Sequence, residues 1–417
     1  MSDLYKNEII TQIMGITNHK KLNQNVYNPS NKISLDEYRW HYAPIDVFFQ
    51  LHRMGIGKLG NNVKYYDAEK SMDHVINLFN YTLYWLKLNI CPIYVFDNKC
   101  PEEKFGTEQK RKNGRLTAIE KCKEIQDKNS LEFTKYLKKS FSITHNNVAD
   151  CKNLLDLMGI PYIVCLGEAD PQCAAIYNYF NMLRSSNLKL TPVISNDTDI
   201  INFGGTILRD CNIKSQTALK ISSDDIIYNL SQKANQIRQD NGLSELEFTH
   251  EKYVELTILM GTDYLKGSGH GCKIAGIKIE NLFSSFVLNE LNVSETIKYL
   301  KYVCGFHISD SFFESFDKIK NIYYNSPVYH PGYISIIPKQ KSPAELLMLA
   351  NYIKLAYEVE NNANSKTNKI NIDICTLSEQ IDMFLRNTCN TSYSGDTDYS
   401  NIIHADSSNI SNMIEVY

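Results

Sequence analysis

Two carboxylates stand two positions apart in Val193-Ile194-Ser195-Asn196-Asp197-Thr198-Asp199, directly after an apolar run. Other acids recur in the same kind of place. Asp97 follows Tyr94-Val95-Phe96, and Glu168 and Asp170 follow a run ending near Cys165. Asp46 ends Ala43-Pro44-Ile45, just before Val47-Phe48-Phe49, and Asp263 sits in Met260-Gly261-Thr262-Asp263-Tyr264 after an apolar helical stretch. Each acid alone also fits a duller role. Asp and Glu cap helix starts and meet the positive end of the helix dipole, and Asn196-Asp197-Thr198-Asp199 also reads as an Asx turn. Together they say more. Carboxylates gathered in one crevice would repel one another and raise several pKa values. Divalent cations would relieve that, and an all-oxygen set without His or Cys suits Mg²⁺ or Mn²⁺. Two such ions a few ångströms apart can activate a water and stabilise the leaving oxygen of a phosphodiester.

The elements that must position these acids are short apolar strands alternating with helices. Ile93-Tyr94-Val95-Phe96, Tyr162-Ile163-Val164-Cys165 and Pro192-Val193-Ile194 read as strands. An amphipathic stretch through Leu154, Leu155, Leu157 and Met158 stops at Gly159. Such alternation implies an α/β fold, a mainly parallel central sheet flanked by helices. In that architecture ligands bind beyond the carboxyl ends of the strands, where these acids fall. Residues 99–139 differ: they hold twelve Lys/Arg, including Arg111 and Arg115, against seven Asp/Glu, and look helical and solvated. Residues 250–283 run as helix, turn, helix, the turn being Gly267-Ser268-Gly269-His270-Gly271. Ser342-Pro343-Ala344-Glu345 opens another helix with a capping box, and Leu346, Leu349 and Ile353 suit its packing face.

The bulk properties exclude some classes. A chain of 417 residues is too long for one compact core. It has no apolar run of about 18 residues, so no membrane span is expected, and MSDLYKNEII lacks the regions of a signal peptide. Eleven scattered cysteines without a C-x-x-C pair fit reduced thiols and argue against a zinc module. A net charge of −3 neither advertises nor excludes nucleic-acid binding, which depends on local patches.

At the level of ordered motifs the chain resembles the flap endonuclease family of structure-specific 5′ nucleases, the XPG/Rad2 type. Met14-Gly15-Ile16 resembles the family's N-terminal Met-Gly-Ile, and Ile45-Asp46 its first acidic strand. Tyr94-Val95-Phe96-Asp97-Asn98, Met158-Gly159-Ile160-Pro161-Tyr162 and Gly167-Glu168-Ala169-Asp170 follow in order. Ser195-Asn196-Asp197-Thr198-Asp199 with Phe203-Gly204, Gly261-Thr262-Asp263-Tyr264, and Gly269-His270-Gly271-Cys272-Lys273-Ile274-Ala275 complete the set. The resemblance covers roughly residues 14–285, and the short interval from Asp97 to Glu168 looks like flap endonucleases and not the excision-repair branch.

The resemblance implies a PIN-like nuclease core and a job for each part. Asp46, Asp97, Glu168, Asp170, Asp197, Asp199 and Asp263 would hold two Mg²⁺ ions, with Mn²⁺ a possible substitute. The basic segment would be a helical arch for a 5′ single strand, with Lys104 and Arg111 matching the arch's catalytic pair. Their i, i+7 spacing places both on one helical face, about two turns apart. The glycine turn would be a helix-two-turn-helix in which Gly269 and Gly271 let backbone approach phosphate and Lys273 and Lys278 add charge, although glycines there also suit a plain interhelical turn.

The implied organisation is a 1–13 extension, a 14–145 nuclease region carrying the arch at about 99–139, and a 146–285 region carrying the helix-two-turn-helix at about 250–283. A helical region of unassigned role, 286–386, and a polar tail, 387–417, read as mobile, complete it. Departures from the family are Asn98 for Gly, Cys272 for Pro, Tyr81 where flap endonucleases often carry Arg, and thirteen residues before Met14, so that either Met1 or Met14 is the start. No sliding-clamp box is recognisable. Abundant Asn, Ile, Lys and Tyr point to an AT-rich genome such as that of a large DNA virus or a protist. The expected activity is Mg²⁺-dependent 5′ cleavage of branched or 5′-ended DNA by a monomer at intracellular sites of replication or repair, in a nucleus or viral factory. Its alternatives are a 5′–3′ exonuclease or junction resolvase of the same family, and a non-catalytic nucleic-acid-binding scaffold.

Overall fold

The computed structural model describes residues 19–58, 71–183, 188–212, 214–265, 274–364, 374–389 and 414–416. Its centre is a seven-stranded sheet. The strands are β1 (Lys32–Ser34), β2 (His41–Asp46), β3 (Ile90–Phe96), β4 (Tyr162–Val164), β5 (Val193–Ile194), β6 (Ile207–Asn212) and β7 (Thr217–Ile221), in the order β1-β7-β6-β5-β2-β3-β4. The pairs β2–β3, β3–β4, β2–β5 and β5–β6 are parallel, and β6–β7 and β7–β1 add an antiparallel edge. A separate antiparallel pair joins β8 (Pro327–Tyr329) to β9 (Ile414–Val416).

Helices cover both faces, so the inner strands are apolar on both sides. All seven residues of β3 are buried, the pattern expected of a parallel strand sandwiched between helix layers. Side chains alternate between the two cores with period two. Tyr42, Ile93, Val95, Val193 and Ile207 face one core, built with the helices Ala169–Met182, Ser223–Asp240, His250–Met260, Ile279–Leu288 and Phe312–Asn325. Ile45, Tyr94, Phe96, Ile194 and Leu208 face the other, built with Val47–Lys58, Asp73–Lys87, His145–Met158 and the late helices Pro343–Asn364 and Ile374–Cys389. Tyr81, aligned with the family's Arg, belongs to this second core, where it is buried edge-on to Trp85 at 5.8 Å.

Local chemistry sets the helix ends. Gly159 closes His145–Met158 at φ 70°, a left-handed cap that a side chain would strain. Ser342 and Glu345 exchange the bonds of a capping box, and Leu349 and Ile353 are fully buried behind it. Among the described residues no helix is long and apolar enough to cross a membrane.

The basic segment forms two packed helices, Phe105–Glu124 and Leu131–Ser140, after a short turn at Glu102–Lys104. The longer helix buries only Thr107 and Ala118. A small apolar cluster of Ile56, Phe133, Leu137 and Phe141 ties this hairpin to the helix that follows Asp46. Gly55 makes room for it, since a Cβ there would lie 2.1 Å from the Phe141 ring.

Candidate active site

Chain order runs outward from β2 in both directions, to β3 and β4 on one side and β5 and β6 on the other. That reversal opens a crevice at the carboxyl ends of β2, β3 and β5. Asp46 is the last residue of β2, Asp97 follows β3, and Asp197 and Asp199 follow β5. Glu168 and Asp170 arrive from the start of the helix Ala169–Met182, and Asp263 from the turn after His250–Met260. The structure therefore brings all seven acids to one place.

Capping accounts for part of their chemistry. Asp46 Oδ1 accepts from the Phe48 and Phe49 amides at 2.9 and 3.3 Å. Asp97 Oδ1 accepts from Ala169 N at 2.6 Å, and Asp197 Oδ1 from Asp199 N at 3.0 Å. Each of these bonds engages Oδ1 alone. Asp170 Oδ1 is buried with no hydrogen-bond partner among the described residues, an arrangement that costs free energy unless something fills it.

The electrostatics follow from this crowding. Burial, then the charge of Asp197, pushes Asp170 and Asp199 well above the usual carboxylate range. Burial, then Asp97, does the same to Asp46. Asp197 is also raised by burial, against the opposing pull of the Asp199 amide. Asp97 is raised to about 6 by burial in the crevice wall, tempered by its bond from Ala169. Water reaches Asp97 at the rim, which moderates the push there.

Two cations enter this field from the arch. Lys104 Nζ lies 2.5 Å from Glu168 Oε1 and 4.6 Å from the centre of the Tyr264 ring. Arg111 forks between Asp263 Oδ2 and Glu108 Oε1, both at 2.7 Å. Burial alone would lower the Lys104 pKa, but the charges of Glu168, Asp199 and Asp170 hold it above its ordinary value. Sequence reasoning gave no role to Tyr264, whose hydroxyl donates to Glu168 Oε2 at 2.8 Å, nor to Thr107, whose hydroxyl donates to the Asp263 carbonyl at 2.6 Å. The adjacency of Tyr264 to Asp263 in one motif was the available signal for the first. Nothing in the sequence marked Thr107.

The donor set suits a hard divalent cation: every side chain offers oxygen, and Asp170 supplies one with no other partner. As they stand, however, no three His, Cys, Asp or Glu residues among the described ones are arranged to hold a metal. Glu168 and Asp263 are turned toward Lys104 and Arg111 instead. The backbone fixes where each acid sits, at a strand end, a helix start or a turn, and the side-chain torsions set where its carboxylate points.

The chain matches the XPG N-terminal domain over residues 14–118 and the XPG I-region over residues 159–263, which together take in all seven acids and both arch cations. It belongs to the XPG/Rad2 family of structure-specific nucleases. Members of this family are hydrolases that act on DNA. Flap endonuclease 1 of Encephalitozoon cuniculi is 30% identical over 272 residues, spanning 64% of this chain and 69% of that protein. In fold the chain is similar to the catalytic core of Rad2 solved with a DNA substrate (TM-score 0.55, 18% identity, 84% of this chain and 98% of that one). It is also similar to flap endonuclease-1 of Methanococcus jannaschii (TM-score 0.51, 20% identity, 87% and 97%).

The family match begins at Met14, the residue whose Met-Gly-Ile motif marks the start of the resemblance. That motif lies outside the described residues, as do Gly269, Gly271 and Lys273 of the glycine turn. Lys278 is described: it is exposed at the start of the helix Ile279–Leu288, just after Gly276 at φ 84°.

Proposed function

We propose that this member of the family is a flap-endonuclease-like 5′ nuclease that uses Mg²⁺ and acts on branched or 5′-ended DNA in replication or repair. The observation that carries the reading is the two-helix basic hairpin lodged over the acid crevice, with Lys104 and Arg111 both directed into it. Asp46, Asp97, Glu168, Asp170, Asp197, Asp199 and Asp263 would hold the ions. Divalent cations held there would supply an activated water and charge stabilisation at the phosphodiester.

The chain's own residues do the rest. Lys104 and Arg111 meet the negative charge that grows on the scissile phosphate. The hairpin's long helix, basic and burying only Thr107 and Ala118, offers a 5′ strand a path past the crevice. Lys278, with the glycine turn before it, contacts duplex backbone away from the cut, fixing register without reading bases.

The test is cleavage of a labelled 5′-flap duplex at low salt with Mg²⁺, beside a recessed 5′ end and a four-way junction. Salt is kept low because phosphate contacts weaken steeply as it rises. Cutting of the flap near its junction with duplex is the expected result. Preferential cutting of the recessed end or of the four-way junction would move the chain to an exonuclease or resolvase role within the family. No cutting of any of the three, with Mg²⁺ or Mn²⁺, would end the proposal.

A further inference from the structure

We propose that Lys104 and Arg111 have a second role, as internal counter-ions: in the DNA-free protein they take the place of divalent cations in the crevice, so arch docking and metal binding oppose each other. The inference rests on the reading that these carboxylates bind metal. It concerns what fills the crevice beforehand.

Three observations point to it. First, the two ion pairs join arch to crevice in the sequence-distant pairs Lys104–Glu168 and Arg111–Asp263. The Lys104 ammonium also lies within the field of Asp97, Asp170, Asp197 and Asp199, and Arg111 within that of Asp197. Second, the docked position is built for. Tyr264 presents its ring face to Lys104 and its hydroxyl to the same Glu168 that Lys104 pairs with. Thr107 donates to the Asp263 carbonyl, and the Leu265 amide donates to the Glu103 carbonyl at 2.6 Å. The arch base is thus latched to the 263–265 turn through neutral hydrogen bonds as well as charge. Third, Glu168 and Asp263, two of the seven gathered acids, are committed to the arch cations Lys104 and Arg111.

The physics is mutual exclusion at shared carboxylates. A cluster of partly desolvated acids must be neutralised by something. A tethered ammonium and guanidinium do it without metal, and a divalent ion does it better once available. Because linkage is reciprocal, whatever arch docking costs metal binding, metal binding costs arch docking by the same factor. The arch would then be freed, with its cations ready for phosphate, when the ions arrive. A protein short of metal would keep its arch shut and its crevice neutral.

Two measurements on the full chain without DNA test this. In the first, Mn²⁺ is titrated by electron paramagnetic resonance into wild type, Lys104→Ala and Thr107→Val. Lys104→Ala should bind about fivefold or more tightly than wild type, and Thr107→Val, which keeps both cations but cuts one latch, should bind more tightly by a smaller factor. In the second, hydrogen exchange is followed on wild type alone, so no variant's folding enters. Saturating Mg²⁺ should speed exchange across 103–111 and at the Leu265 amide. Wild-type or weaker Mn²⁺ affinity in Lys104→Ala, or protection of 103–111 by Mg²⁺, would overturn the inference while leaving the metal site standing. Absence of Mn²⁺ binding by wild type and Lys104→Ala alike would overturn it together with the metal reading.

Discussion

The crevice has two walls made by different physics. One consists of strand ends: β3 is buried at every position, and Asp46 and Asp97 stand where β2 and β3 leave the core. The other is the arch, whose long helix buries two side chains and leaves Phe105, Leu116 and Ile119 exposed. The carboxylates are placed by burial of apolar neighbours, which salt and ligands hardly change. The cations are placed by ion pairs, a few hydrogen bonds and one small apolar cluster, which ligands can replace. Lesions in the first wall should remove chemistry, and lesions in the second should change how substrate and metal are received.

The largest expected break is Asp199→Ala. Loss of an outer-sphere partner in a metal site costs about 10- to 100-fold, so removing a ligand should slow flap cleavage by more than about 100-fold. The metal-free melting temperature should hold or rise, because a buried carboxylate beside Asp197 is gone. A collapse in melting temperature would instead make Asp199 a structural residue. Next comes Arg111→Ala, expected to slow cleavage on the order of 100-fold with little change in the melting of the Mg²⁺-loaded protein, where the ions would neutralise the crevice. Arg111→Ala activity within twofold of wild type would remove Arg111 from catalysis.

A third substitution sharpens the comparison at the join between the walls. Phe141→Ala should lower stability in urea by about 3 kcal/mol, and Gly55→Ala by about 1–3 kcal/mol through overpacking against the Phe141 ring. Both should slow cleavage less than Arg111→Ala does. The smallest effect is on pH. Asp97 is raised to about 6 in the folded state, above the ordinary carboxylate value. A group raised in this way stabilises the fold below its unfolded pKa, and that contribution is lost as pH rises through the folded pKa. Metal-free protein should therefore melt at a higher temperature at pH 5 than at pH 7, and Mg²⁺ should erase the difference at pH 7. A metal-free melting temperature that falls from pH 7 to pH 5 would show that Asp97 is not held above the ordinary carboxylate range.

Much of the strand-end wall was legible in the chain because it is written locally. An apolar run followed by an acid is a contiguous signal, as at Tyr94-Val95-Phe96-Asp97 and Val193-Ile194 with Asp197 and Asp199. Gly159 and the Ser342-to-Glu345 box were legible for the same reason, since caps act within a few residues. The antiparallel edge of β6, β7 and β1 carries a weaker signal: Ile207–Asn212 is buried only in part, and β1 (Lys32–Ser34) lies far in sequence from β7, the strand it pairs with. Tyr81 could be aligned with an Arg, but only the packing of Trp85 shows that it points inward.

By itself, then, the sequence settled the residue types, the family and the alternation of strand and helix, because backbone propensity and hydrophobic period are properties of short segments. It did not decide that Lys104 would meet Glu168, that Arg111 would meet Asp263, or that Phe141 would need a glycine at position 55. Those contacts join residues far apart in the chain, and only the folding of the sheet and the docking of the arch bring them within a few ångströms.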